Sequence, residues 1–141
     1  MPDIDGRCTD LHLRRIPWRV RRMSAAYALT LPYPPSSNTY YRRSGHIMHL
    51  SAAGREFKNE CAKQIAETFG PIDKIQGRVG VQIELFRKDR TQYDIDNYIK
   101  SVLDVLKGAF FEDDRQVDWL IVKRREVTPP GFCEVVVSEL D

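Results

Sequence analysis

Alternating apolar and polar positions mark the first strands that the sequence predicts. Between residues 26 and 31, Tyr27, Leu29 and Leu31 alternate with smaller or polar side chains, a period of two that is typical of a half-buried strand. The clearest strand follows at residues 79–86, where every second residue is aliphatic. One face of each strand is therefore expected to lie in a core.

Three shorter apolar segments complete the predicted strands. Residues 46–50 form a possible short strand, and residues 117–123 and 132–137 are apolar segments separated by a turn at residues 128–131. Two prolines and a glycine in that turn bring the chain back on itself. The last two strands are therefore expected to pair with each other as an antiparallel hairpin.

Apolar residues at helical spacing predict two helices. The first begins after Ser51, a good N-cap, and ends at Gly70 and Pro71. The second begins near Asp94 and ends near Gly108. Their predicted buried stripes are Ala53, Phe57, Cys61, Ile65 and Phe69 in the first, and Ile95, Ile99, Val102, Leu103 and Leu106 in the second. The element order predicts an α+β fold of two layers, with two helices on one face of a mostly antiparallel mixed sheet.

The length of 141 residues, with 42% hydrophobic and 30% charged side chains, is enough for one domain with one core. We expect that domain at residues 24–141, preceded by a basic, flexible arm at residues 1–23. The arm either contacts DNA or is a tail before a natural start at Met23. Its arginines are Arg14, Arg15, Arg19, Arg21 and Arg22.

Charge and cysteine content exclude several classes of protein. The net charge of +2 is too small to indicate a nucleic-acid-binding module by itself. Three distant cysteines without a CxxC pair argue against a zinc site and against a disulfide framework, so a cytoplasmic location is expected. No apolar run is long enough to span a membrane, and the first residues lack the apolar core of a secretory signal.

Acidic side chains gather where the second helix begins and again just after it ends. Asp94 and Asp96 lie at its start, and an acidic pair occupies residues 113–114. If Asp94 is the N-cap, its carboxylate turns toward Asp96 in the first turn, and Lys100 lies on the same face one turn later. Glu84 is expected to approach the same point from the preceding strand. Such oxygen donors favour Mg²⁺, with phosphate oxygens completing its coordination.

Other interpretations of this acidic motif differ in strength. A purely structural one, in which Asp94 caps the helix and Asp96 pairs with Lys100, is favoured for an isolated motif. An EF-hand is excluded, because Ile99 and Val105 occupy the positions that would need glycine and glutamate. The chain also lacks a Walker-type glycine-rich loop.

Four motifs in chain order carry a family resemblance. The chain resembles the RusA-type Holliday junction resolvases, small endonucleases of bacteria and prophages. The acidic motif and the later Asp-Asp-x-Gln-Val pattern are specific as a pair, and together they favour the catalytic interpretation over the structural one. The matching motifs are Leu31–Asn38, Leu50–Gly54, Asp94–Lys100 and Phe110–Val117.

The resemblance implies both a site and a substrate. Asp94, Asp96 and Asp114 would be the metal-binding catalytic carboxylates, with Asp113 as a further candidate ligand, and Lys100 would be the catalytic lysine. Mg²⁺ is the expected cofactor, with Mn²⁺ as an alternative. The expected substrate is a four-way DNA junction, cut in two symmetric strands by a homodimer during recombination and repair.

Basic and aromatic residues near the motif are candidate DNA contacts. The basic residues are expected to bind backbone phosphates, and the tyrosines to stack on unpaired bases. Two other functions remain open: a non-catalytic nucleic-acid-binding module, and a broader nuclease that cuts flaps or forks. The candidate contacts are Arg42, Arg43, Arg87, Lys88, Arg90, Tyr40 and Tyr41.

Overall fold

Six strands and three α-helices form the part of the chain that the structure, a computed structural model, describes, namely residues 23–140. The predicted basic arm therefore lies almost wholly outside the described residues. In chain order the elements are β1 (Met23–Pro32), α1 (Ser37–Tyr40), β2 (Tyr41–Ser44), β3 (Ile47–Leu50), α2 (Ala52–Phe69), β4 (Arg78–Phe86), a 3₁₀ helix (Ile95–Tyr98), α3 (Ile99–Leu106), a second 3₁₀ helix (Asp114–Gln116), β5 (Val117–Arg125) and β6 (Phe132–Leu140).

Four strands form the main sheet, in the order β1-β6-β4-β5. β6 is antiparallel to both of its neighbours, whereas β4 and β5 are parallel. Ile83 in β4 lies opposite Val135 on one side and Val122 on the other. The predicted fold class, α+β with a mostly antiparallel mixed sheet, is confirmed.

The predicted pairing of the last two strands is wrong. β5 and β6 are not neighbours, because β4 lies between them. Burial explains the order: β4 is buried at eight of its nine residues and β6 at five of its nine, whereas β5 is largely exposed or half-buried and suits an edge. α3 forms the crossover between the parallel strands β4 and β5, the connection that such a pair requires.

One face of the sheet packs against the helices and holds the main core. Ser51 caps α2 as predicted, since its Oγ accepts a hydrogen bond from Gly54 N at 2.9 Å. The predicted stripe of α2 is correct except at Ala53, which is exposed, while Gly54 beside it is buried against Tyr40. The core includes Phe57, Cys61, Ile65, Val79, Val81, Ile83, Leu85, Val102, Leu106, Phe110 and Phe111.

The second predicted helix has two parts. Asp94 is the N-cap, with extended backbone at φ −81° and ψ 129°, but it caps the 3₁₀ turn rather than α3. α3 then buries Val102 and Leu106 as predicted, together with Val105. The tighter first turn changes the direction of the side chains that precede α3. No helix within residues 23–140 is long and apolar enough to cross a membrane.

β2 and β3 form a separate two-stranded ribbon. The sequence predicted β3 but neither β2 nor the short helix α1 that precedes it. The ribbon pairs residues from Tyr41 with Leu50 to Ser44 with Ile47, and its turn contains Gly45 at φ 63°. This positive φ favours glycine. The ribbon begins directly after α1 and ends directly before α2.

Candidate active site

The acidic motif lies on the 3₁₀ turn between β4 and α3. Asn97 N donates to the backbone oxygen of Asp94 at 3.1 Å, which closes the turn. The side chain of Asp94 makes no capping hydrogen bond. Asp94 and Asp96 are both exposed, and neither carboxylate takes part in a hydrogen bond or ion pair with another residue of the described chain. Both are therefore open to a ligand.

Three tyrosines hold this turn against the body of the domain. The ring of Tyr93 lies 4.6 Å from that of Tyr98, centroid to centroid, and Tyr33 packs 5.5 Å from Tyr98. Arg124 on β5 donates from Nη2 to the backbone oxygen of Tyr93 at 2.8 Å, and its guanidinium lies 5.0 Å from that ring. The two aspartates are thus on a turn whose ends are fixed by ring contacts, worth about 0.5–1.5 kcal/mol each.

No function was predicted for this aromatic cluster from the sequence. Tyr93 and Tyr98 lie on either side of Asp94 and Asp96, five residues apart, and this spacing is the signal in the sequence that points to the cluster. Burial raises the pKa of Tyr33 and Tyr98, so both rings remain neutral phenols at physiological pH.

Lys100 and Asp114 are brought together across the helix. Lys100 Nζ lies 3.4 Å from Asp114 Oδ2. Partial burial lowers the pKa of Lys100, but the charge and hydrogen bond of Asp114, with smaller contributions from Tyr41 and Asp104, outweigh it, so the pKa is raised. The structural interpretation paired Lys100 with Asp96; in the structure its partner is Asp114.

Asp114 also keeps one oxygen unused. Its Oδ1 is buried and has no hydrogen-bond partner within the described chain. A buried carboxylate oxygen without a partner costs free energy unless something occupies that position. This oxygen is the strongest indication in the structure that Asp114 faces a ligand.

Asp113, by contrast, is used within its own loop. Its Oδ1 accepts from Arg115 N at 2.9 Å, and its Oδ2 accepts from Arg115 Nη2 at 3.0 Å. These hydrogen bonds from Arg115 lower the pKa of Asp113 to about 2. Asp113 therefore caps the second 3₁₀ helix, and both of its oxygens are occupied.

Gln116 fixes the acidic loop in place. Its Oε1 accepts from the backbone nitrogen of Asp113 at 2.9 Å, and its Nε2 donates to the backbone oxygens of Ile75 and Gly77 at 2.7 and 2.9 Å. One amide thus joins the loop to the segment before β4. Sequence reasoning did not give Gln116 this role, although it is part of the matching Asp-Asp-x-Gln-Val pattern.

Glu84 does not join the acidic site. It is 3% exposed, and its Oε1 accepts from Arg125 Nη1 at 2.8 Å. Ile83 and Leu85 lie on the face of β4 that packs against the helices. Because side chains alternate along a strand, Glu84 lies on the other face of the sheet. The expectation that Glu84 approaches the aspartates is therefore wrong.

The donor set fits a hard divalent cation in its chemistry. Asp94, Asp96 and Asp114 offer carboxylate oxygens without protein partners, and such oxygens are the ligands that Mg²⁺ prefers. Within residues 23–140, no three acidic, histidine or cysteine side chains lie close enough together to hold a metal ion by themselves. Mg²⁺ characteristically keeps several water ligands and takes others from phosphate, so it does not need a complete set of protein ligands.

The predicted basic contacts occupy two surfaces. Arg42 and Arg43 are exposed on the β2–β3 ribbon, and Lys88 and Arg90 are exposed on the loop after β4. Arg87 is half-buried, and its Nε donates to the backbone oxygen of Arg125 at 3.0 Å. Four of the five predicted cations are therefore available to a polyanion, and Arg87 holds the base of its loop.

The loop after β4 is anchored to the turn before β6. Thr128 N donates to the backbone oxygen of Arg87 at 2.7 Å. Gly131, at φ 90°, lies so close to Lys88 that a Cβ there would be 2.9 Å from the Lys88 Cβ. Glycine is required for this approach, which sets the position of the basic loop.

The two tyrosines where α1 meets the ribbon have different surroundings. Tyr40 is fully buried, and its hydroxyl donates to Asp104 Oδ2 at 2.6 Å. The prediction that Tyr40 stacks on bases is therefore wrong. Tyr41 is half-buried and packs edge-on against Tyr40 at 4.9 Å. Burial and the charge of Asp104 raise the pKa of Tyr41.

The fold and these residues together define the class: a small α+β protein with two exposed carboxylates on a 3₁₀ turn and a lysine–aspartate pair beside it in the chain. Residues 32–137 match the family Endodeoxyribonuclease RusA. The chain belongs to this family, which confirms the resemblance found in the motifs, and it is an endonuclease.

Named relatives support the same assignment. Proteins of Escherichia coli O1:K1, of Escherichia coli strain K12 and of Enterobacteria phage 82 are each named crossover junction endodeoxyribonuclease RusA. Each is 37% identical to this chain over 116 residues, which cover 81% of this chain and 95% of the relative. The similarity therefore extends over almost the whole of each relative and includes a phage protein.

Proposed function

We propose that this protein is a Mg²⁺-dependent Holliday junction resolvase, which cuts two symmetric strands of a four-way DNA junction as a homodimer. The observation that carries the proposal is the Lys100–Asp114 pair, in which one Asp114 oxygen is buried without a partner. Asp94 and Asp96 supply further open carboxylates on the preceding turn. The names of the relatives supply the junction as the substrate class.

Asp94, Asp96 and Asp114 would hold the cation, either Mg²⁺ or Mn²⁺. Asp113 is a poor candidate, because Arg115 already occupies both of its oxygens. When bound, the cation would supply positive charge next to the scissile phosphate and lower the pKa of a coordinated water. The tyrosine cluster around the 3₁₀ turn would keep Asp94 and Asp96 in position.

Lys100 would act as a cation rather than as a base. Its pKa is raised, mainly because Asp114 outweighs the effect of partial burial, so the ammonium group persists at physiological pH. Asp114 Oδ2 orients that group at 3.4 Å. From there Lys100 would stabilise negative charge that develops on the phosphate or on the leaving oxygen.

DNA binding would use the exposed cations on both sides of the site. Arg42 and Arg43 on the ribbon, with Lys88 and Arg90 on the loop after β4, would contact backbone phosphates. Each chain offers one acidic site, so two symmetric cuts need two chains related by a two-fold axis. A DNA substrate and the free thiols of Cys61 and Cys133 fit a cytoplasmic enzyme of recombination and repair.

Asp114→Asn tests the proposal, with Asp113→Asn as its neighbour control. Asp114→Asn should lower the rate of junction cutting on the order of 100-fold or more, because the cation that would stabilise the developing negative charge loses one of its ligands. Junction binding should persist. Asp113→Asn should keep most of the activity. Cutting of a synthetic four-way junction, a flap and a linear duplex, with Mg²⁺ and with EDTA, measures all of these effects.

Each alternative has its own result in this panel. Binding of the junction without cutting in Mg²⁺ would indicate a non-catalytic binding module. Equal cutting of flap and junction would indicate a broader nuclease. Wild-type activity in Asp114→Asn would show that the buried oxygen faces no catalytic ligand.

A further inference from the structure

The β2–β3 ribbon combines exposed apolar and basic side chains without any acidic one. Ile47 is 68% exposed and Met48 is 57% exposed. Residues 41–50 contain two arginines and two histidines but no aspartate or glutamate. Large exposed apolar side chains that are neighboured by basic ones mark an interaction surface for a polyanion with an apolar component.

Both faces of the ribbon carry this combination. Directly opposed residues of two paired strands share a face of the ribbon. Arg43 therefore lies with Met48 on one face. The other face carries Ile47 with Ser44, and next to them the Arg42–His49 pair. All of these side chains are exposed. The apolar residues therefore do not belong to the core of this chain, and the ribbon can be contacted from two sides.

The base of the ribbon is fixed next to the acidic site. Ser51 N donates to the backbone oxygen of Tyr40 at 2.9 Å, and Arg55 Nη1 donates to that of Leu50 at 2.8 Å. Ser37 in α1, the helix that leads directly into β2, donates from Oγ to the backbone oxygen of Asn97 at 3.1 Å. The base of the ribbon therefore adjoins the 3₁₀ turn that carries Asp94 and Asp96. The tip extends about 13 Å from this base, at about 3.3 Å per residue. At 3.4 Å per nucleotide along one DNA strand, this length corresponds to roughly four nucleotides. The tip could therefore reach DNA within about that distance of a phosphate bound at the acidic site.

We propose that the ribbon tip inserts Ile47 and Met48 between bases at the branch point of a DNA junction, while Arg42 and Arg43 bind the flanking phosphates. The inference rests on the proposed function, since it assumes a junction at the acidic site. Isoleucine and methionine are among the side chains that proteins insert between base steps.

This insertion would distinguish a junction from a duplex. Separating stacked base pairs costs a few kcal/mol per step in a duplex, and less where stacking is already interrupted. At a branch point the chains exchange partners, so the apolar tip can enter at lower cost. The phosphate contacts are common to both forms of DNA, and they would leave duplex affinity independent of the tip.

The test replaces both apolar residues by serine, Ile47→Ser with Met48→Ser, and compares this variant with Leu120→Ser. Leu120 is the remaining large apolar residue that is exposed in the described chain, at 36%, and it lies on β5. The two DNA substrates are a four-way junction and a duplex with the same arm sequences. The junction carries 2-aminopurine at the branch point, and the duplex carries it at the matching position. Binding is followed in EDTA by fluorescence and by titration, and the mass of each protein is measured by sedimentation equilibrium.

Wild type and Leu120→Ser should increase the branch-point fluorescence on binding. The double variant should not, and its junction affinity should fall about tenfold while its duplex affinity stays unchanged. Unchanged fluorescence and affinity in the double variant would overturn the inference. A drop from dimer to monomer would also overturn it, because the ribbon would then be a contact between two copies of the chain. Failure of wild type to cut the junction in Mg²⁺ would instead reject the proposed function, independently of the fluorescence.

Discussion

Asp113 and Asp114 are adjacent in the chain but have opposite surroundings. Both oxygens of Asp113 accept hydrogen bonds from Arg115, whereas Asp114 shares one oxygen with Lys100 and leaves the other buried and unpaired. A carboxylate that is satisfied within its own loop stabilises that loop, while one with an unused buried oxygen is held ready for a ligand. The resemblance left both residues as candidate ligands, and their hydrogen bonds favour Asp114.

The role of Asp113 as a cap predicts a pH-dependent contribution to stability. Its pKa falls from an ordinary 3.8 to about 2 in the folded protein, chiefly through the hydrogen bonds from Arg115. Because the pKa is lower in the folded protein than in the unfolded chain, ionised Asp113 stabilises the fold at pH values above the unfolded-state pKa. This stabilisation is lost as the pH falls from about 4 through about 2. The urea midpoint of wild type should therefore exceed that of Asp113→Asn at pH 6, and the difference should shrink toward pH 2.

Asp73→Asn is the control for this measurement. Asp73 is exposed and makes no hydrogen bond to another residue of the described chain, so its replacement should change the midpoint at pH 6 very little. A constant difference between wild type and Asp113→Asn from pH 6 to pH 2 would contradict the assignment of Asp113 as an ionised cap.

At the scale of elements, the sequence predicted those helices and strands whose apolar spacing repeats over many residues. α2 spans 18 residues with a four-residue apolar spacing, and β4 alternates over its whole length, so both were predicted near their observed bounds. α1 and β2 have four residues each, too few for a period to be visible. The burial of Tyr40 follows from contacts with Asp104 and Gly54 far along the chain, which no local pattern contains.

The site was predicted in part for the same reason. Asp94, Asp96 and Lys100 form one local motif, and a family motif added Asp114. The pairing of strands, in contrast, depends on which strands are buried in the complete sheet. The most buried strand, β4, therefore lies between β5 and β6. Glu84 was expected near the aspartates because its true partner, Arg125, lies 41 residues away and is not visible in the local pattern.

The contact between α1 and α2 gives a prediction at this scale. A Cβ at Gly54 would lie 2.4 Å from the backbone oxygen of Tyr40, and neither backbone can move without disturbing the Ser51 cap. Gly54→Ala should therefore destabilise the protein by about 1–3 kcal/mol through overpacking, although alanine is favoured over glycine in a helix by about 1 kcal/mol.

Urea denaturation of Gly54→Ala and Gly77→Ala measures this effect. A Cβ at Gly77 would have no neighbour within 4 Å, so that variant should unfold close to wild type. If Gly54→Ala proved as stable as wild type, α1 would not be packed on α2 as closely as the structure shows. Because α1 leads directly into the ribbon, a destabilised variant should also bind DNA less well.

At the scale of the whole molecule, the position of the acidic site constrains how two cuts are made. Asp94, Asp96, Lys100 and Asp114 all lie on the β4–α3–β5 unit of one chain. If these residues are catalytic, as proposed, each chain would supply its own site, and a second chain would be needed for the second strand rather than to complete a site. The two sites of a homodimer should then act independently in chemistry, while both depend on the same bound junction.

Mixed dimers of wild type and Asp114→Asn separate these possibilities. On a supercoiled plasmid with an extruded cruciform, the wild-type homodimer should cut both strands and give linear DNA. A heterodimer, purified through different tags on its two chains, should give nicked circles, because its intact site still cuts one strand. The Asp114→Asn homodimer should bind the cruciform and leave the plasmid supercoiled. If the heterodimer gave linear DNA, one site would serve both strands in turn. If it gave no nick, the two sites would be coupled, so that neither cuts unless both are intact.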